Sequence, residues 1–212
     1  MHRLLYISDD SHKQSHEEQI EQVCSAGVRW VQLRVKERAY TDWMMIAKRV
    51  RKITSDYGAL LTINDNVRIA KEIGADGVHL GRDDMSPIVA RQILGPEVLI
   101  GGSANTIREI EDLTIQQVDY IGIGPFRLTS SKKNLRPTLG FSGIQSIMRH
   151  VREQHYRQWV PLIVIGGLQA EDLTEVMSAG VFGVAMGSGI RNAPEPKLWC
   201  LQSLSDWKSI ME

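Results

Sequence analysis

The stretch Gln32-Leu33-Arg34-Val35-Lys36 alternates polar and apolar residues. In an extended chain every second side chain points the same way, so one amide and two cations share a side. Cations at that spacing suit a phosphate or diphosphate, and the guanidinium can grip one through two parallel hydrogen bonds. A solvated strand end would carry the same pattern. Two carboxylates follow other apolar runs: Asp65 in Thr62-Ile63-Asn64-Asp65-Asn66, and Asp84 in His79-Leu80-Gly81-Arg82-Asp83-Asp84. At the ends of adjacent strands, beside the cations, they fit Mg²⁺, which takes one or two carboxylates and completes its shell with substrate phosphate oxygens and water. The plainer reading of Asp65 or Asn66 is a cap on the next helix. His79 lies inside its apolar run and reads better as a packed, hydrogen-bonded core residue than as a catalytic one.

A second group of residues is built from backbone and hydroxyls. Ile165-Gly166-Gly167 and Met186-Gly187-Ser188-Gly189 each close an apolar run with glycine. Glycine lets backbone N–H groups approach phosphate oxygens, and a helix that follows adds its dipole. Ser103 and Thr106, in Gly102-Ser103-Ala104-Asn105-Thr106, belong either to such a site or to turn and cap chemistry. Between Pro125 and Phe141 lies a long polar stretch with Thr129, Ser130, Ser131, Lys132, Lys133 and Asn134. A loop of that length in a chain with little to spare points to function.

These residues need elements to hold them. Strands are expected at Arg3–Ser8, Trp30–Arg34, Leu60–Asn64, Gly77–Leu80, Val98–Gly102, Tyr120–Gly124, Leu162–Gly166 and Gly183–Met186. Most are continuous apolar runs, as suits parallel strands buried on both faces. Helices are expected at His16–Ala26 (with Ser15 and Glu18 as a capping box), Asp42–Asp56, Val67–Ile73, Pro87–Leu94, Ile107–Leu113, Ser142–Gln154, Glu171–Ala179 and Leu198–Met211. Eight strands alternating with eight helices make an α/β protein, a single compact (β/α)₈ TIM barrel over residues 1–212, with an open doubly wound sheet as the alternative. In such a barrel, active sites form at the C-terminal strand ends, and the last two strands commonly hold phosphate. Two anion sites are therefore expected, one cationic and metal-assisted at strands two to four, the other at strands six to eight.

The 212 residues fit one domain. Lysine plus arginine balances aspartate plus glutamate at 25 each, so no net field draws nucleic acid or an acidic membrane as partner. Phosphorylated small molecules are the expected partners; nothing in the residues speaks to oligomeric state. Cys24 and Cys200 form no metal spacing and read as free thiols. The apolar run Leu4–Ile7 is too short for a signal core or a membrane span, which makes the cytoplasm the default.

Seven short motifs occur together in register: Gln32-x-Arg34-x-Lys36, Ile63-Asn64-Asp65, Gly77-Val78-His79-Leu80-Gly81-x-x-Asp84, Gly102-Ser103-Ala104, Gly122-x-Gly124-Pro125 with Thr129-x-Ser131-Lys132-Lys133, Ile165-Gly166-Gly167, and Val184 to Ile190. In order and spacing, over residues 3 to 190, the chain resembles the thiamine phosphate synthase (thiamine-phosphate pyrophosphorylase) family. The resemblance implies a transferase in which a hydroxymethylpyrimidine diphosphate loses pyrophosphate and a thiazole phosphate nitrogen takes the methylene. It implies Mg²⁺ on Asp65 and Asp84, with Arg34, Lys36, Asn64 and Lys132 clamping the diphosphate. Gln32 and Ser103 would contact the pyrimidine substrate, and Thr129, Ser131, Gly167, Gly187 and Ser188 the thiazole phosphate. The chain departs from the family pattern at Ser131 for threonine, Arg127-Leu128 for an aromatic-proline pair, Asn105 for histidine and Arg82 for glutamine. A thiazole tautomerase on the same barrel would need a histidine soon after the strand-six glycine, where Pro125 stands. A silent ligand-binding barrel would not need the full set of carboxylates and cations. A phosphosugar isomerase would leave Asp65 and Asp84 without a role.

Overall fold

A computed structural model describes residues 1–10, 13–128, 136–153, 160–197 and 199–200. Eight parallel strands close into a barrel in sequence order: β1 (Leu4–Ile7), β2 (Trp30–Leu33), β3 (Leu60–Asn64), β4 (Gly77–Leu80), β5 (Leu99–Ala104), β6 (Tyr120–Ile123), β7 (Leu162–Ile165) and β8 (Gly183–Met186), with β8 pairing back onto β1. The helices between them are α1 (His16–Ser25), α2 (Tyr40–Asp56), α3 (Val67–Glu72), α4 (Pro87–Leu94), α5 (Ile107–Ile115), α6 (Gly140–Glu153), α7 (Leu173–Ser178) and α8 (Ser188–Arg191). Closure, not an open sheet, follows from the β1–β8 pairing.

The continuous apolar strands serve two cores because alternate residues face opposite ways. Outward residues such as Tyr6, Leu33, Ile63, Val78, Ile100 and Val164 pack under the helices. Inward residues Leu5, Trp30, Tyr120, Ile163 and Ala185 fill the barrel. Trp30 and Tyr120 meet edge to face at 4.9 Å. The buried indole N–H finds its partner in Thr62 Oγ1 at 3.0 Å, as a buried tryptophan requires.

Element boundaries follow local chemistry, and several differ from those expected. The Ser15–Glu18 capping box opens α1 as expected. The second helix starts at Tyr40, two residues before the expected Asp42. Its N-cap, Ala39, makes no side-chain cap bond, and Tyr40 is held instead by its hydroxyl on Glu72 at 2.8 Å. The stretch expected as Glu171–Ala179 splits into a 3₁₀ turn, Ala170–Asp172, and α7. Strand five runs on to Ala104, so Ser103 lies within it. The short helix α8 directly after β8 was not expected. The helix expected at Leu198–Met211 lies outside the described residues except at Trp199 and Cys200.

Cys24 and Cys200 are both fully buried and free. Burial pushes the Cys24 thiol up to about 11 and the Cys200 thiol up to about 12. The thiolate is the reactive form. Neither thiol is therefore expected to react with a disulfide reagent at pH 8 in the folded protein, and both should react after unfolding in guanidinium. Fast labelling of either thiol under native conditions would contradict this burial.

Candidate active site

One step up each strand from the apolar interior, the inward positions turn polar on one side of the barrel. Gln32, Asn64, His79 and Ser103, on β2 to β5, follow Trp30, Thr62, Gly77 and Gly101 by two residues each. They form two joined pairs. Gln32 Nε2 donates to Asn64 Oδ1 at 2.7 Å. His79 Nε2 and Ser103 Oγ share a hydrogen bond of 2.8 Å, and His79 Nδ1 lies 3.2 Å from the Tyr120 hydroxyl. Gln32, Asn64 and His79 are buried. His79 is thus the packed, bonded histidine that the sequence favoured, yet it also orients Ser103. Gln32 Oε1 is buried with no hydrogen-bond partner. A buried acceptor left unpaired is costly and asks for a donor from a ligand.

Above this floor, at the strand ends, stand the carboxylates. Asp65 adopts a left-handed backbone with φ 62°, its N–H bonded to the His79 carbonyl at 2.8 Å. Capping of α3 falls to Asn66, whose side chain accepts the Ile69 N–H at 3.0 Å. Asp65 is thereby released from the plainer role, and its unusual conformation, tolerated by aspartate, turns the side chain toward its neighbours. Lys36 Nζ lies 2.6 Å from Asp65 Oδ2. Asp84 is fixed by its own turn, where Oδ2 accepts the Gly81 N–H at 2.6 Å. Desolvation, followed by a hydrogen-bonding contact with the Asp65 carboxyl, raises the Asp84 pKa, and the Gly81 N–H and Lys36 oppose the rise. Two carboxyls from adjacent strands are therefore crowded together beside the Lys36 ammonium. Among the described residues no group of three or more His, Cys, Asp or Glu side chains could hold a metal.

Arg34 follows β2 directly and is partly buried. Ser103 does not serve as a cap: that task belongs to Thr106, which builds a capping box with Glu109 at the start of α5. On the far side of the barrel the turn after β7 contains Gly166 and Gly167, at φ 98° and 72°. A Cβ on Gly189 would lie 2.3 Å from the Leu168 carbonyl oxygen. The turn after β7 and the start of α8, with Gly187 at its N-cap and Ser188 in its first turn, are therefore in close contact. Thr129, Ser131 and Lys132 lie outside the described residues.

Asn105 is one residue that the sequence presented only as a departure. It is buried, and its Nδ2 donates to the carbonyls of Gly124 and Pro137, at 2.9 Å each. One amide thus joins both ends of the long stretch after β6. Leu139 N–H to Pro125 O at 2.8 Å and Gly140 N–H to Phe126 O at 3.1 Å continue the closure. A signal was available: Asn105 follows Ser103 by two residues and shares its direction.

The geometry offers a polar, partly unsatisfied floor, a carboxylate pair beside cations, and a glycine turn facing them around the rim. That arrangement suits a phosphorylated, hydrogen-bonding substrate and a hard cation.

The chain matches the sequence model of a family described as thiamine monophosphate synthase over residues 4–190. It is 38% identical over 193 residues to a thiamine-phosphate synthase of Bacteroides fragilis, covering 91% of this chain and 94% of that one. It is 35% identical over 192 residues to a thiamine-phosphate synthase of Archaeoglobus fulgidus, covering 91% of this chain and 87% of the relative. Among solved structures, a thiamine phosphate pyrophosphorylase from Pyrococcus furiosus superposes with a TM-score of 0.85 at 26% identity, covering 99% of this chain and 98% of that one.

Proposed function

The chain belongs to the thiamine monophosphate synthase family, and from that premise we propose how its residues divide the transfer of a hydroxymethylpyrimidine group from its diphosphate to a thiazole phosphate. It is a transferase. The bond between the pyrimidine methylene and the diphosphate oxygen breaks, the thiazole nitrogen bonds to the methylene, and pyrophosphate leaves.

Asp65 and Asp84 would hold Mg²⁺. Support comes from their contact: two hard oxygen donors from the ends of adjacent strands lie within hydrogen-bonding reach of each other. Two carboxylates with diphosphate oxygens and water fit the octahedral habit of that ion. When bound, the ion supplies charge neutralisation for the departing pyrophosphate. Lys36 and Arg34 grip the diphosphate oxygens, Lys36 already standing at the carboxylate pair. Lys132 completes the clamp by its place in the family pattern. Asn64 has two tasks, receiving the Gln32 amide and facing the diphosphate.

Gln32 and Ser103 hold the pyrimidine. The observation that carries this reading is the unpartnered Gln32 Oε1, which matches an exocyclic amino N–H. Ser103 is oriented by His79 and is available to a ring nitrogen. Electron release from the aminopyrimidine stabilises the methylene as the leaving group departs, so no protein nucleophile is required. Gly167, Gly187 and Ser188, with Thr129 and Ser131, receive the thiazole phosphate. The chain acts in the cytoplasm on these small molecules.

The test is release of pyrophosphate with both substrates present. Product is expected only when both substrates and Mg²⁺ are supplied; isomerisation of a thiazole with no pyrophosphate would favour the tautomerase reading instead. Gln32→Met keeps the side-chain length and removes the acceptor. It is expected to raise the KM for the pyrimidine diphosphate about tenfold or more, the cost of an amino group with no buried partner, with the KM for thiazole phosphate nearly unchanged. Equal rises in both KM values would remove Gln32 from the pyrimidine site.

A further inference from the structure

The Gly166–Gly167 turn is shaped by its contacts with the chain that leaves β6. Phe126 N–H donates to the Ile165 carbonyl and Arg127 N–H to the Gly166 carbonyl, both at 2.9 Å. A Cβ on Gly167 would meet Arg127 Cβ at 2.9 Å and the carbonyl oxygens of Arg127 and Leu128 at 3.1 and 3.2 Å. Residues 127 and 128 therefore press directly against one side of this glycine. The Arg127 side chain then reaches past the turn to Asp172, in the 3₁₀ turn that precedes α7. Its Nη2 donates to Asp172 Oδ1 at 2.6 Å and its Nη1 to Asp172 Oδ2, a two-pronged pair. The Asp172 side chain is only 3% exposed. Its Oδ2 also accepts the Gln169 N–H at 2.8 Å. Arg127 itself lies over the ring of Phe126, 5.2 Å from the centroid, and Phe126 is buried.

The turn from Gly166 to Asp172 is thus held at both ends by one residue, by its backbone at Gly166 and by its guanidinium at Asp172. A planar fork on a carboxylate fixes direction as well as distance, which an ammonium does not. The proposed task of Gly167 depends on where its backbone sits, because the glycine has no side chain with which to adjust.

We propose that Arg127 and Asp172 are a positioning pair that sets the Gly167 backbone for the phosphate of the thiazole substrate. This rests on the reading of Gly167 as part of that subsite. Arg127 touches neither substrate; it acts through the turn. The Arg127-Leu128 departure from the family's aromatic-proline pair then has a physical role: it replaces a stiff pair of residues with an ionic fork.

The test varies the two substrates separately. Arg127→Met alone strands a buried carboxylate and is prone to unfold. The double variant Arg127→Met/Asp172→Asn removes that charge and keeps an acceptor for the Gln169 N–H. It is expected to fold, and to raise the KM for thiazole phosphate about tenfold, as a small misplacement of a binding group does. The KM for the pyrimidine diphosphate should move by less than about twofold, because that subsite lies across the barrel mouth. Arg127→Lys, which keeps the charge and loses the fork, should fall between the two. A merely structural pair would lower the Tm and move both KM values together, or neither, and either result overturns the proposal. Gly167→Ala separates the two layers of inference. If it leaves the thiazole phosphate KM unchanged, the subsite reading fails; if it raises that KM and the double variant does not, the positioning pair alone fails.

Discussion

Asp84→Asn is expected to lower kcat for pyrophosphate release by about a hundredfold to a thousandfold, the usual cost of losing one charge-stabilising group at a reacting centre, without lowering the Tm. Asparagine keeps the shape and an oxygen that can still accept the Gly81 N–H, now 2.6 Å from the carboxylate. What it loses is the second negative charge beside Asp65. In the free protein those like charges oppose one another, and Lys36 is the cation seen at the pair. Removing one charge therefore leaves stability unchanged or raised. Activity and stability moving in opposite directions is the mark of a group kept for function. The same holds for Asp65→Asn, since asparagine tolerates the left-handed backbone at φ 62° as well as aspartate does. A second readout is independent of turnover. A cation that binds only the folded state raises the Tm, so millimolar Mg²⁺ with pyrophosphate should raise the Tm of the unaltered protein and not that of either variant. Normal Mg²⁺-dependent turnover in both variants would sink the assignment.

Much of this arrangement was legible because a parallel barrel writes its plan into the sequence. Most strands are apolar runs, since both faces are buried. Polar residues that follow such a run therefore mark the C-terminal rim. Asp65 and Asp84 were legible in this way, and so was the direction of Gln32, two residues after Trp30. Competition for one backbone group was not legible. Asp65 and Asn66 both suit a helix cap, and only the fold shows that Asn66 takes the task. Likewise Thr106 caps α5 and Ser103 turns to His79. The unpartnered Gln32 Oε1 also lay beyond reach, because a sequence does not reveal which acceptors lack donors. The Arg127–Asp172 fork joins residues 45 apart, a separation at which pairing depends on strand order and turn shape. Asn105 and Arg127 were visible as departures from a family pattern, and their work became readable once their partners were in place. The early start of α2 is an instance of tertiary contact outweighing a local cap: Tyr40 hydrogen bonds to Glu72 and sits beneath Arg68.

The packing beneath the site carries the second large effect. Gly101 pairs with Tyr120 across β5 and β6, and a Cβ placed on it would lie 2.1 Å from Tyr120 Cζ. The ring has little room to retreat, because Trp30 packs against it edge to face at 4.9 Å and both side chains are fully buried. Overpacking of this kind costs about 3 kcal/mol at the upper end of its range. For a chain of this size, that cost would lower the Tm of Gly101→Ala by about 6–12 °C. The damage should reach the floor of the site as well. The Tyr120 hydroxyl stands 3.2 Å from His79 Nδ1, and His79 in turn orients Ser103. A displaced ring therefore disturbs the proposed pyrimidine contact, and the KM for the diphosphate should rise while that for thiazole phosphate changes less. A double-variant cycle isolates the cause. Tyr120→Leu alone leaves a cavity and loses the hydroxyl, so it too is destabilising. In Gly101→Ala/Tyr120→Leu the added methyl occupies part of the space that the ring vacates, so the combined loss should be smaller than the sum of the two by about 1 kcal/mol or more, as expected for residues in contact. Simple additivity in thermal unfolding would mean that the ring does not lie over Gly101. In that case the support for His79 and Ser103 must come from elsewhere in the barrel.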